Sequence, residues 1–306
     1  MKKYADHNTE MKNSNDSARH KKHLFHKAKV NRSHAGNFFA FAVIFFLGLF
    51  MALPFAYAIG SSFKPLNELF LYPPRLLPQN PTLNNYKQLA ALMKDSWVPM
   101  SRYLFNTVCI TILGTAGQII LASMCAYPLA KHPLPGNRII FKIIFLSLMF
   151  NTSATSIPTY IIMAKLNILD TYWALILPAC AGSFGMYLMR QFITQLPDAI
   201  LEAAEIDGSG IFHTYLHIVM PMIKPAWLTL MVFSVQGLWN MGASTFIFSE
   251  ELKTLSYAIS QVVAGGIART GPSMAVSVIM MTVPIGVYII TQSSVMQTMA
   301  SSGVKE

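Results

Sequence analysis

The sequence predicts an all-α, polytopic membrane protein with six transmembrane helices and one charged hairpin on the cytoplasmic side. Three observations predict it. Of 306 residues, 53% are hydrophobic and only 12% are charged, and a mean hydropathy of +0.44 is too apolar for a soluble domain to solvate its own surface. Six apolar runs approach or exceed the roughly 20 residues that a helix needs to cross about 30 Å of hydrocarbon. None alternates polar and apolar residues as a barrel strand does, and lipid offers an unpaired backbone group no partner, so helix is required throughout.

Residues 1–36 are polar, basic and rich in histidine (His7, His20, His23, His26, His34). They read as a disordered cytoplasmic tail attracted to anionic lipid, not as a metal or nucleic-acid site. Span one covers residues 37–60. The Ala56-Tyr57-Ala58 triplet imitates a signal-peptidase site, but the polar head is too long and further spans follow, so an uncleaved span is expected. Span two covers 103–130, and the link after it carries Lys131 and Arg138, which assigns that link to the cytoplasm. Span three covers 139–164. Span four, 172–189, is the shortest and contains Pro178. Spans five and six cover 226–248 and 274–296. With six spans both termini and the link 197–225 are cytoplasmic, and residues 37–306 form one domain in the cell membrane.

Several signals have a plain reading. Cys109, Cys125 and Cys180 fall inside spans at no metal-binding spacing and read as packing residues. His213 and His217 share a helical face but lack a Glu or third ligand beside them, so a solvated face is expected and no metal. No phosphate-binding loop is present, and no span carries a pair of acids for a proton relay, so the chain does not hydrolyse ATP and does not resemble a proton-coupled carrier.

The link 197–225 is the unusual element. It places Glu202, Glu205 and Asp207 together in a chain with few charges. Pro197 and Asp198 mark a helix start, Gly208 permits the left-handed turn that ends it, and Ser209 is suited to cap a second helix beginning near Gly210 or Ile211. That second helix puts Ile211, Phe212, Tyr215, Ile218 and Val219 on an apolar face and His213, Thr214 and His217 opposite. Pro221 is expected to stop it, and Pro225 to open span five. Ala203 and Ala204 allow close approach by a partner.

Glu202, Ala203, Ala204, Asp207, Gly208, Pro221 and Pro225 together resemble the EAA loop of binding-protein-dependent ABC importer permeases. The segments "YPPRLLPQNPTLNNYKQL", "LDTYWALILP", "LMRQFITQLPDAILEAA" and the closing "SSGVKE" are similar to the carbohydrate branch, the permeases like the second maltose-transporter membrane subunit. Asn151 departs from it, standing where such permeases often have proline, as does the Ser209-Gly210 continuation of the turn. The resemblance implies a heterodimer with a homologous permease, two separate ATPase subunits that use ATP and Mg, an extracellular solute-binding protein and no cofactor on this chain. It implies that Glu202, Ala203, Ala204, Asp207, Gly208, Ile211 and Phe212 couple to the ATPase. Residues 61–102 and 250–270 are expected to form the platform on which the binding protein docks.

A sugar path needs hydroxyl-matching side chains and aromatic faces. Span three offers Asn151, Thr152, Ser153, Thr155, Ser156 and Tyr160, and span five offers Gln236, Trp239 and Asn240. An oligosaccharide without charge is the expected substrate, with a non-sugar solute as the alternative and, further off, a secondary transporter; helix-to-helix hydrogen bonding is the alternative role for each of these residues.

Overall fold

Proline, glycine and tight turns decide where the apolar runs stay whole. The computed structural model describes residues 34–94, 98–150, 152–242 and 244–303, and among them there is helix and no strand. The chain divides into two compact units, 1–54 and 55–306. Their boundary falls at Pro54, inside the first helix, α1 (His34–Ser62). Residues 1–33 of the basic tail lie outside the described residues.

After a helical turn at Leu66–Leu69, α2 (Asn84–Lys94) and α3 (Met100–Lys131) follow. At 1.5 Å per residue α3 is about 48 Å long. It tolerates Pro128 in its last turn and is the axis on which the rest packs. Among the described residues three helices are long and apolar enough to cross a membrane: Gly36–Ser62, Met100–Lys131 and Ile267–Ser293. The last belongs to α12 (Thr270–Gly303). A fourth arises if two helices bent by 76°, α9 (Ile211–Met222) and α10 (Lys224–Trp239), count as one.

The runs expected as spans three and four are each two shorter helices. In the third, α4 (Asn137–Ser147) gives way to α5 (Thr152–Lys165). Leu148, Met149 and Phe150 bond to carbonyls three residues back, at 3.2, 3.0 and 3.3 Å, which tightens and ends the first piece. In the fourth, α6 (Trp173–Cys180) and α7 (Ser183–Thr194) meet at Ala181-Gly182. Gly182 is extended (φ −62°, ψ 113°), and Pro178 has already removed one donor from the helical ladder.

α3 packs against α6, α7 and α10, while α12 packs on α10, α2 and α11 (Leu255–Val263). Small residues permit these contacts: Leu230 and Ala122 press against Gly185, and Cys180 lies against Gly117 so closely that a β-carbon would overlap its sulfur. Cys125, by contrast, is exposed and Cys109 half-buried. The two ends of α3 define two ends of the bundle. Lys131 meets the hairpin through Asp198, and Arg102, Tyr103 and Asn106 meet residues 250–253 at the far end.

Candidate functional site: a charged hairpin and a polar far end

The hairpin begins where Pro197 stands at the N-cap position of α8 (Asp198–Ile206), without a side-chain capping bond. Asp198 sits in the positive first turn, and Lys131 Nζ donates to its Oδ1 at 2.6 Å and to Leu196 O at 2.5 Å. The last residue of α3 thus holds the first turn of α8. At the other end Gly208 takes φ +79°. Its N–H donates to Glu205 O (3.0 Å) and that of Ser209 to Ala204 O (2.9 Å), the paired bonds of a Schellman cap.

Gly210, not Ser209, occupies the N-cap of α9. The Ser209 hydroxyl instead meets Thr214 Oγ1 at 2.9 Å and His213 Nδ1 at 3.1 Å. α9 then widens into a π turn over Tyr215–Val219. Pro221 explains the widening, because its ring would strike the carbonyl four residues back in a regular α-helix. The helix nevertheless runs on to Met222, so Pro221 reshapes it instead of stopping it. The break comes at Ile223 (φ −90°, ψ 17°), where Trp227 Nε1–H satisfies Met220 O at 3.2 Å.

The π turn also divides the apolar face expected from 3.6-residue spacing. Tyr215, Val219 and Ile223 are buried with Ala122, Ala126, Met189 and Ile193 of α3 and α7. Tyr215 and Ser123 share a 2.7 Å hydroxyl contact. Thr214, expected on the polar side, is buried too. Ile211 and Phe212 point out, 63% and 73% exposed, beside Ile206 at 85%. Glu202, Ala203, Glu205 and Asp207 are exposed around them, whereas Ala204 is buried. The three acids Glu202, Glu205 and Asp207 form no ion pair among the described residues. His213 and His217 stack in the open with ring centroids 4.1 Å apart, and no third ligand joins them among the described residues.

The candidate path residues separate. Asn151 lies outside the described residues, and Thr152 opens α5. Ser156 donates within its own helix to Ser153 O (2.8 Å), and Tyr160 stacks on Phe246 at 6.4 Å. On α10, Gln236 and Asn240 are exposed one turn apart, joined by a bond from Asn240 Nδ2 to Gln236 O (2.9 Å). Trp239 faces the other way. It is 4% exposed and donates to Met280 O at 3.0 Å, so within this chain it is a packing residue.

A polar network that the spacing arguments missed fills the far end. Asn106 donates to Glu251 O (2.8 Å) and Lys253 O (2.9 Å) and accepts from Tyr172 OH (2.7 Å). Thr107 Oγ1 accepts from Leu255 N (2.8 Å). Asp170, itself left-handed at φ 57°, accepts from the backbone N–H groups of Phe248 (2.9 Å) and Ser249 (2.8 Å) and from the Ser249 hydroxyl. The Ser249 hydroxyl, more than any other group, holds this carboxyl below its ordinary value. Burial pulls the Lys253 ammonium down, but its bonds to Glu250 (2.6 Å) and Tyr257 OH (2.9 Å) outweigh that and raise it. A cavity of about 130 Å³ beside Lys253 is lined by Leu175, Ser244, Thr254 and Tyr257. A second, about 460 Å³, is lined by Tyr103, Glu250, Gln261 and Arg269 over an apolar floor. The one available signal was the polar pair Asn106-Thr107 inside an apolar span.

No family model matches the chain. It is 34% identical over 221 residues to protein LplC of Bacillus subtilis, covering 71% of each chain. It is 28% identical over 208 residues to the polygalacturonan/rhamnogalacturonan transport system permease protein YtcP of the same organism, covering 68% of this chain and 70% of that one. In fold it is similar to a chain of a bacterial ABC transporter involved in the import of the acidic polysaccharide alginate. That likeness has a TM-score of 0.72 at 22% identity and covers 86% of this chain and 98% of the other.

Proposed function

This chain belongs to the permease subunits of binding-protein-dependent ABC importers, on the carbohydrate branch, and from that membership we propose that it forms, with a homologous permease, the path for a saccharide. YtcP is named for polygalacturonan and rhamnogalacturonan, and the alginate importer for an acidic polysaccharide, so the substrate class is a saccharide with or without carboxylates. We further propose six crossings: three long helices, two broken ones and α10, with α9 left to the hairpin. The hairpin and both termini face the cytoplasm, and residues 250–270 face outward toward the binding protein. ATP and Mg2+ stay with two separate ATPase subunits.

The observation that carries the coupling role is the pairing of a firmly held base with an exposed tip. Lys131, Tyr215 and Val219 fix the hairpin to the bundle, while Ile206, Ile211 and Phe212 leave apolar area in the open among acids. Such area marks a partner site, and a rigid arm carries a displacement that a loose loop dissipates.

The assembled importer in proteoliposomes tests this. Gly208→Val forces a β-branched residue into the left-handed region at a strain of roughly 1–2 kcal/mol. It is expected to leave the chain inserted and ATP hydrolysis running while uptake falls at least ~10-fold, since 1.4 kcal/mol is worth tenfold. Uptake at the wild-type rate would falsify the coupling role. For the substrate, a panel of neutral and acidic oligosaccharides is offered to the cognate binding protein. Tight binding of an amino acid or a metal, with no sugar bound, would remove the saccharide reading. For the path, Gln236→Leu with Asn240→Leu is expected to lower the uptake rate, and Trp239→Phe to leave it near normal.

A further inference from the structure

Residues 70–77, "FLYPPRLL", form an apolar, exposed loop outside the spans. Tyr72 is 94% exposed, and Phe70, Leu71, Leu76 and Leu77 are exposed beside it. Their exposure follows from how the backbone is held. Lys64, a buried cation, donates to Arg75 O from inside the loop, with its ammonium 5.1 Å from the Tyr57 ring. The buried Glu68 carboxylate accepts from Gln79 N (2.6 Å) and Asn80 N (3.4 Å). Thr82 N closes the base on Phe63 O at 2.8 Å. Both inward charges grip main chain, so the apolar side chains between them have only the outside.

The position of the loop is equally defined. The carbonyl of Leu76 abuts Gly60 so closely that a β-carbon there would overlap it, and Gly60 lies in the last turn of the span-length helix Gly36–Ser62. The loop therefore sits at the level where that helix leaves the hydrocarbon. Aromatic residues concentrate at this depth, with an arginine able to reach phosphate while its stem stays apolar. Pro73 and Pro74 carry no N–H, so two consecutive residues present no donor that lipid would leave unpaired.

We propose that residues 70–77 are an interfacial anchor, with Phe70, Leu71, Tyr72, Leu76 and Leu77 seated at the headgroup and acyl boundary of the leaflet at the far end, and Arg75 among its phosphates. This reassigns to lipid a segment that the sequence places in the binding-protein platform, and leaves residues 250–270 to that platform. It rests on the chain spanning a bilayer and not on the identity of the substrate.

A nitroxide at Tyr72→Cys tests it, with Cys109→Ser, Cys125→Ser and Cys180→Ala, in the assembled importer within vesicles of phosphatidylethanolamine and phosphatidylglycerol. Asn80→Cys on the same loop is the reference. An anchor buried some 5–10 Å predicts an oxygen to nickel-chelate accessibility ratio at least ~3-fold higher at position 72 than at 80. Equal ratios overturn the anchor, and so does a position-72 label whose motion freezes only when binding protein is added, the mark of a protein dock. A second measurement keeps the native cysteines. Trypsin cleavage after Arg75 is expected to be at least ~10-fold faster in Tyr72→Asp with Leu77→Asp than in wild type, because the charges expel the loop from the boundary. Unchanged cleavage overturns the proposal.

Discussion

At Asp170 one carboxylate organises a turn that lies 78 and 79 residues further along the chain, at Phe248 and Ser249. Its carboxyl is held below the ordinary value near 3.8, first by the Ser249 hydroxyl. The sign is that of a depressed acid: the folded state gains stability above the unfolded value, and the gain is lost as pH falls through the folded one. Wild-type protein in nanodiscs is therefore expected to lose thermal stability as pH falls below about 4, through this turn among others. Asp170→Asn should already be destabilised at pH 7, where the wild type has the full gain, and should show a smaller loss between pH 5 and 3. An identical pH profile in the two would show that Asp170 does not hold the turn. Sequence order hides such a residue, because its partners are far along the chain and a lone acid in "LDTYW" has no local period. Gly208 is the opposite case: its neighbours on either side form helices, and only a left-handed residue joins them at that spacing.

Among the elements, α9 shows where periodicity fails. The residues of its face are legible, but the π turn over Tyr215–Val219 changes the residues per turn and sends Tyr215 inward and Phe212 out. Tyr215→Phe removes the contact with Ser123, which keeps its bonds to Ile119 O and Ile120 O. A cost of about 1 kcal/mol is expected, read as faster hydrogen exchange through Ile211–Met222. No change would make the hydroxyl contact incidental. The split of the third run was illegible for a related reason. Residues 148–150 contain neither glycine nor proline and their side chains are exposed, so neither turn chemistry nor a buried pattern marks the tight turns there. The fourth run did carry its warning, in Pro178 and Gly182.

Across the described residues the apolar runs identify every helix long enough to cross a membrane, and the composition already points to a bilayer. The pairing of α3 with α6, α7 and α10 lay beyond reach, since it depends on which small residues face which neighbours: Gly117 against Cys180, Gly185 against Leu230. The same end-to-end order of α3 sets a topological prediction. Cysteines at Glu202 and at Lys253, in a background free of other cysteines, should react with a membrane-impermeant maleimide from opposite faces. Reaction of both from one face would overturn the six-crossing arrangement.

The π turn has a geometric consequence for how the hairpin is aimed. Each residue of an α-helix advances the side chains by about 100° and 1.5 Å, so one extra residue per turn acts as a phase offset between two segments of one helix. Upstream of it lies the tip with Ile211 and Phe212, and downstream lies α10 with Gln236 and Asn240. Removing a single residue between Tyr215 and Val219 would swing the tip by about a quarter-turn or more around its axis without altering a side chain of α10. The direction in which the hairpin points and the polar face that α10 presents are thus set by separate coordinates, the first adjustable by one insertion or deletion while the second stays fixed.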